Sequence, residues 1–161
     1  MYTFNPNEII PSAKINANFT EAVGGAWVSY TPTLTNITLG NGTVVASYIQ
    51  QGKTVHFKIK LTHGTTTVAG TGTLYTLPVT ASSSAYTASV AGGSNLGLAT
   101  ADDASGSTYL GTTSLVSVTT VGAYFENTSG SYSVLNKQTS AIPFTWATSD
   151  VLVLTGVYEA V

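Results

Sequence analysis

The residues able to do chemistry are few in this chain. Its acidic groups are Glu8, Glu21, Asp102, Asp103, Glu126, Asp150 and Glu159. Glycoside hydrolysis needs two carboxylates held about 5–9 Å apart across a cleft, and no spacing here marks out such a pair. Asp102 and Asp103 are neighbours on a turn-like stretch, where adjacent side chains diverge. The plain reading is a solvated loop. The functional readings are an acceptor for glycan hydroxyls or half of a weak Ca²⁺ site.

The two histidines, His56 and His63, are candidates for general-base work. His56 falls on the wet side of an alternating strand and His63 precedes Gly64 at a turn. No G-x-S-x-G elbow and no H-E-x-x-H accompanies them. Two histidines without cysteine make no zinc site by spacing, so no metal and no cofactor is expected. The chain has no Cys, and hence no disulfide framework.

Nine Tyr and two Trp offer different chemistry. Tyr and Trp join a flat apolar face to a polar tip, which suits contact with sugars and proteins. Tyr86, Tyr109 and Tyr132 stand among Ser, Gly and Asn in the loop-rich middle, a composition typical of adaptable binding loops. These three are the candidate glycan contacts. Trp27 and Trp146 flank the β region at either end and are expected to be largely buried.

Charge excludes several partners. Only 7% of residues are charged, the net charge is −2, and there is no Arg. Three of the five lysines, Lys53, Lys58 and Lys60, sit close together. Three lysines make a poor phosphate track, so nucleic acid is not an expected partner. The N-terminus lacks the pattern of a signal peptide. No apolar run nears the ~20 residues that span a bilayer, so no membrane insertion is expected. With 43% hydrophobic residues, the chain is not expected to be disordered. A domain so poor in charge either accepts marginal solubility or hides much of its surface in an assembly, and the second is expected here.

The elements that carry these residues fall into two parts: 1–25, an attachment helix, and 26–161, a β domain. Residues 7–23, NEIIPSAKINANFTEAV, place Ile15, Phe19, Ala22 and Val23 at helical spacing. Ser12 caps this helix after Pro11, and Gly24-Gly25 ends it. About three turns are not stable alone in water, so the helix needs a surface to lie on.

From residue 26 the pattern is strand and turn. A β-meander is expected over 26–62, with turns at Gly40-Asn41-Gly42 and Gln51-Gly52. In 53–62, Val55, Phe57, Ile59 and Leu61 alternate with His56, Lys58, Lys60 and Thr62, giving one core face and one wet face. Gly70-Thr71-Gly72 reads as a second hairpin turn. Short strands are expected near 86–90, 96–101 and 107–110, and a strand or bent pair over 114–125. Strand 151–158 is apolar on both faces, which predicts burial on both by the helix or by another subunit. Together these point to an all-β fold, an antiparallel β-sandwich, jelly-roll-like, preceded by one short N-terminal helix.

Three stretches bear a resemblance. IPSAKINANF at 10–19 resembles the start of many tail and fibre proteins of tailed bacteriophages. WVSYTPTLTNITLGNGTVVASYIQQGKTVHFKIKLT at 27–62 resembles the C-terminal sandwich of phage minor tail and receptor-binding proteins. PFTWATSDVLVLTGVYEAV at 143–161 resembles the way such domains end. The resemblance implies a virion protein assembled in the host cytoplasm, a homotrimer, and a binder of host-surface polysaccharide rather than an enzyme. It implies virion attachment or oligomerisation through Ile10, Ile15, Asn16, Asn18 and Phe19, on tail or capsid proteins or on the other copies. It also makes Trp27, Tyr30, Tyr48, Phe57, Trp146 and Tyr158 scaffold. Relatives often carry Arg where this chain has Ala46 or Ser47, and 80–135 matches nothing in the family. The competing expectations are a capsid decoration protein or head fibre, and a small glycan depolymerase.

Overall fold

The computed structural model describes residues 25–89, 91–127 and 133–161. The expected helix at 7–23 lies outside them, as do Ile10, Ile15, Asn16, Asn18, Phe19 and Tyr132. The described residues form ten strands and no helix: β1 (Val28–Tyr30), β2 (Leu34–Thr38), β3 (Thr43–Gln51), β4 (Thr54–Thr62), β5 (Val68–Thr76), β6 (Asn95–Asp103), β7 (Ser107–Ser117), β8 (Thr120–Asn127), β9 (Val134–Lys137) and β10 (Val151–Glu159). Every pairing between strands is antiparallel.

Pairing runs unbroken in the order β1-β3-β4-β10-β6-β7-β8-β5-β2, with β9 also on β8. All ten strands therefore belong to one sheet. That sheet is curled, because its first and last strands are consecutive in the chain. The link from Tyr30 to Leu34 cannot span more than about 14 Å, so it holds the two edges of the sheet near one another. Tyr30 and Leu34, from the two edges, pack against the same core as Phe57 of β4 and Phe125 of β8.

Alternation builds that core. Val55, Phe57, Ile59 and Leu61 of β4 are buried, while His56, Lys58 and Lys60 are exposed. Leu152, Leu154 and Tyr158 of β10 are buried beside them, paired in register from Val151↔Thr62 to Glu159↔Thr54. The second face of β10 is only partly covered: Val151 and Val153 are half-buried and Val157 is exposed. The two expected covers for this face, the helix at 7–23 and another subunit, both lie outside the described residues. No described element covers its outer side chains.

The expected meander holds for β3 and β4, joined by a tight turn at Gly52-Lys53 with Gly52 at φ 57. It fails at β2, which pairs with β5 instead of with β1 or β3. Pro32, which lacks an N–H, sits in the link where the chain leaves β1. Gly70-Thr71-Gly72 is not a turn either. It lies inside β5 and faces a bulge in β2, where Asn36 takes φ 58 and its amide donates to the Thr71 carbonyl at 3.0 Å. The expected strand near 86–90 is absent from the described residues 86–89, whereas 114–125 forms the bent pair β7–β8.

Candidate functional site

Tyr86 and Tyr109 are not brought together. Tyr86 packs against the core, and its hydroxyl accepts the Glu159 N–H at 2.8 Å. Tyr109 lies opposite Ala101, next to Leu152 of β10. By strand rise these two ends of β10 are roughly 23 Å apart. Asp102 and Asp103 are the last two residues of β6 and half-buried, not part of the expected solvated loop, and they bond to different partners. Asp102 accepts the Thr108 hydroxyl at 2.8 Å. Asp103 accepts the Ser105 N–H at 2.7 Å, and hydrogen bonds from Ser105 hold its carboxyl below the usual range. Both thus shape the β6–β7 hairpin. Among the described residues, no group of three or more His, Asp or Glu could hold a metal ion.

The sequence overlooked an aromatic ladder. Tyr109 packs on Phe144 with ring centroids 5.1 Å apart, Phe144 on Trp146 at 4.7 Å, and Trp146 on His63 at 4.7 Å. The loop between β9 and β10 is folded around it. The Trp146 indole N–H donates to the carbonyls of Thr139 and Ile142. The Asp150 carboxylate, itself buried, accepts the N–H groups of Ala104 and Ala147. His63 is buried, and its desolvation lowers the imidazole pKa against an opposing pull from Asp150. Its Nε2 is buried without a hydrogen-bonding partner, so no nucleophile is held there. The ladder is a clamp on the 138–150 loop.

A second feature lies on the outer sheet face. The β10–β6 ladder extends from Val151↔Asp102 to Leu154↔Ala99, whereas β10 stays paired with β4 as far as Glu159. Past Leu154, β6 bulges between Asn95 and Gly97. A groove of ≈ 430 Å³ opens there, lined by Trp27, Lys58, Leu98, Thr155 and Val157 with Gly97 and Gly156 in its floor. Gly97 presses so close on β10 that a Cβ would stand 2.2 Å from the Thr155 carbonyl oxygen. Gly156 leaves room for the Phe57 ring beneath it.

Trp27 corrects an expectation: it is 48% exposed, not buried. It precedes β1 by one residue and shares the outward phase of Ser29, which pairs with Ser47 of β3. The Lys58 ammonium lies 4.4 Å from the centroid of its ring, a cation–π contact. A larger recess of ≈ 560 Å³ at the β2–β5 bulge is lined by Asn36, Thr38, Val68 and Thr71. Among the described residues its lining has no charged or aromatic side chain, so the Trp27 groove is the better equipped of the two. Comparison of the chain with protein families, curated proteins and solved structures found no match in any of the three.

Proposed function

We propose that this chain is a non-enzymatic virion protein of a tailed bacteriophage, a trimeric tail-fibre or tail-tip protein that holds host-surface glycan. The resemblance of 10–19, 27–62 and 143–161 supports the virion part. The observation that carries the binding part is the outer face of β4, β10 and β6. No described element covers it, yet it presents Trp27, Leu98 and Val157 beside Lys58. A face that is partly apolar, partly cationic and open serves contact rather than catalysis. In this reading the curled sheet is the family's jelly-roll-like sandwich, and residues 1–25 attach it to tail or capsid proteins or to the other two copies. Weak sites repeated three times per trimer act through avidity.

The test is the position of the protein on its particle, read by cryo-EM or by an antibody against the sheet, together with its mass by light scattering. Trimers at the tail tip support the proposal. Many copies over the shell would make it a capsid decoration protein. Shortening of a polysaccharide on incubation would make it a depolymerase.

A further inference from the structure

The groove beside Trp27 combines three properties. Its floor is main chain, because Gly97 and Gly156 carry no side chain and the β10–β6 ladder has ended. Its walls are apolar but wet: Leu98 is 62% and Val157 44% exposed. Its rim carries a cation that is already placed, since the Trp27 ring holds the Lys58 ammonium at 4.4 Å. Among the described residues, no Asp or Glu lines it. Lys60 and His56 flank Lys58 on the same outward face of β4, about 7 Å to either side.

We propose that this groove binds an acidic saccharide, a sugar bearing carboxylate or phosphate. The proposal rests on the glycan-binding reading above and names the ligand's class and place. A pyranose ring has an apolar C–H face and a rim of hydroxyls. The apolar face lies on Leu98, Val157 and the exposed edge of Trp27. The hydroxyls donate to the Thr155 side-chain oxygen, whose own proton goes to the Leu98 carbonyl at 3.3 Å. The anion sits at the Lys58 ammonium, and a further anionic unit of a polymer reaches Lys60. In a chain with net charge −2, this is a local cationic spot with no carboxylate among its described lining residues. Charge complementarity therefore selects an acidic sugar over a neutral one. Because Trp27 already holds Lys58, little side-chain freedom is lost on binding.

The experiment is a binding titration of the full chain with tetragalacturonate, with maltotetraose as the neutral sugar and poly-glutamate as the non-sugar polyanion. The variants are Trp27→Ala and Lys58→Gln, with Lys53→Gln at the exposed β3–β4 turn as the charge-matched control. All three positions are exposed, and thermal melting verifies that each variant folds. The expected result is preference for tetragalacturonate over both other probes. It weakens about tenfold in Trp27→Ala and in Lys58→Gln and stays unchanged in Lys53→Gln. Equal binding of poly-glutamate would reduce the effect to bulk charge and overturn the proposal. Sugar binding that the two groove variants leave intact would overturn the groove while leaving the adhesion reading standing. No binding of any saccharide, on a wider array of acidic and neutral glycans, would overturn both. A change of oligomeric state in Trp27→Ala, with sugar binding kept, would give the groove to a second copy and overturn the proposal.

Discussion

The imidazole of His63 lies flat on the indole of Trp146, with ring centroids 4.7 Å apart and planes 13° apart. This stack joins the end of β4 to the 138–150 loop. Two main-chain bonds run beside it, from the Ser149 N–H to the His63 carbonyl at 2.8 Å and from the His63 N–H to the Asp150 carbonyl at 2.9 Å.

The stack should make the protein sensitive to mild acid. Burial lowers the folded-state pKa of His63 below its ordinary value of 6.5. Between the two values the unfolded chain binds a proton that the native chain does not. This contribution to stability is therefore complete above pH 6.5 and declines as pH falls from there toward the folded pKa. Melting temperature should drop over that window, and His63→Phe, which keeps a ring on Trp146, should flatten the slope. Trp146 emission should be quenched in the native state as the stacked imidazole gains its proton. An unchanged pH slope in His63→Phe would count against this account.

Gln138 should be among the costliest single positions in the core. It is fully buried, and its Oε1 accepts the Thr73 hydroxyl at 2.8 Å and the Tyr75 hydroxyl at 2.9 Å. Gln138→Leu strands two buried donors, each costing about 1–3 kcal/mol, offset in part because it also removes the Nε2 group, which is buried without a hydrogen-bonding partner. Removing the donors as well, with Thr73→Val and Tyr75→Phe, should restore much of the loss. Urea unfolding of the single and triple variants measures the difference. A triple variant no more stable than Gln138→Leu would show that packing, not hydrogen bonding, sets the cost.

Much of the sheet is legible in the sequence, and the failures have physical causes. β4 is readable because one face meets core and the other water, so its alternation is complete. β3 is fixed with it by the tight turn at Gly52-Lys53. β2 is not readable, because its partner β5 is remote in sequence and only the Asn36 bulge facing Gly70-Thr71-Gly72 shows the match. Trp27 was expected inside on residue type alone; its phase relative to Ser29 was the usable signal. Tyr86 stands in a Ser-rich segment that reads as a binding loop, yet the Glu159 N–H holds its hydroxyl. No local pattern announces such a bond between residues so far apart in the chain.

Asp150 should behave as a structural anchor. Its carboxylate joins the turn after β6, through Ala104, to the loop before β10, through Ala147. Asp150→Ala leaves both N–H groups without their acceptor and should cost roughly 2–3 kcal/mol. Hydrogen exchange should quicken at Ala104 and Ala147 while the amides of Tyr48 and Gln50, toward the far end of β3, keep their protection. Protection retained at those two amides would exclude the anchoring role.

The two glycines of the groove floor should respond differently to alanine. At Gly97 the added Cβ would meet main chain, the Thr155 carbonyl oxygen at 2.2 Å and the Gly156 Cα at 2.7 Å. Main chain cannot rotate away, so β6 and β10 would have to part where their ladder already ends. At Gly156 the added Cβ would meet the Phe57 ring at 2.6 Å. A ring can tilt, at the cost of its edge contact with Tyr158, whose centroid is 5.8 Å away. Gly97→Ala should therefore destabilise by about 3 kcal/mol or more, and Gly156→Ala by about 1–3 kcal/mol. Pairing Gly156→Ala with Phe57→Leu should recover part of its loss, whereas no side-chain change relieves Gly97→Ala. Denaturant midpoints of the three variants decide it. A Gly97→Ala protein as stable as the parent would mean that the strands separate freely at this point, and the groove floor would not be the fixed surface that the close approach of β6 to β10 implies.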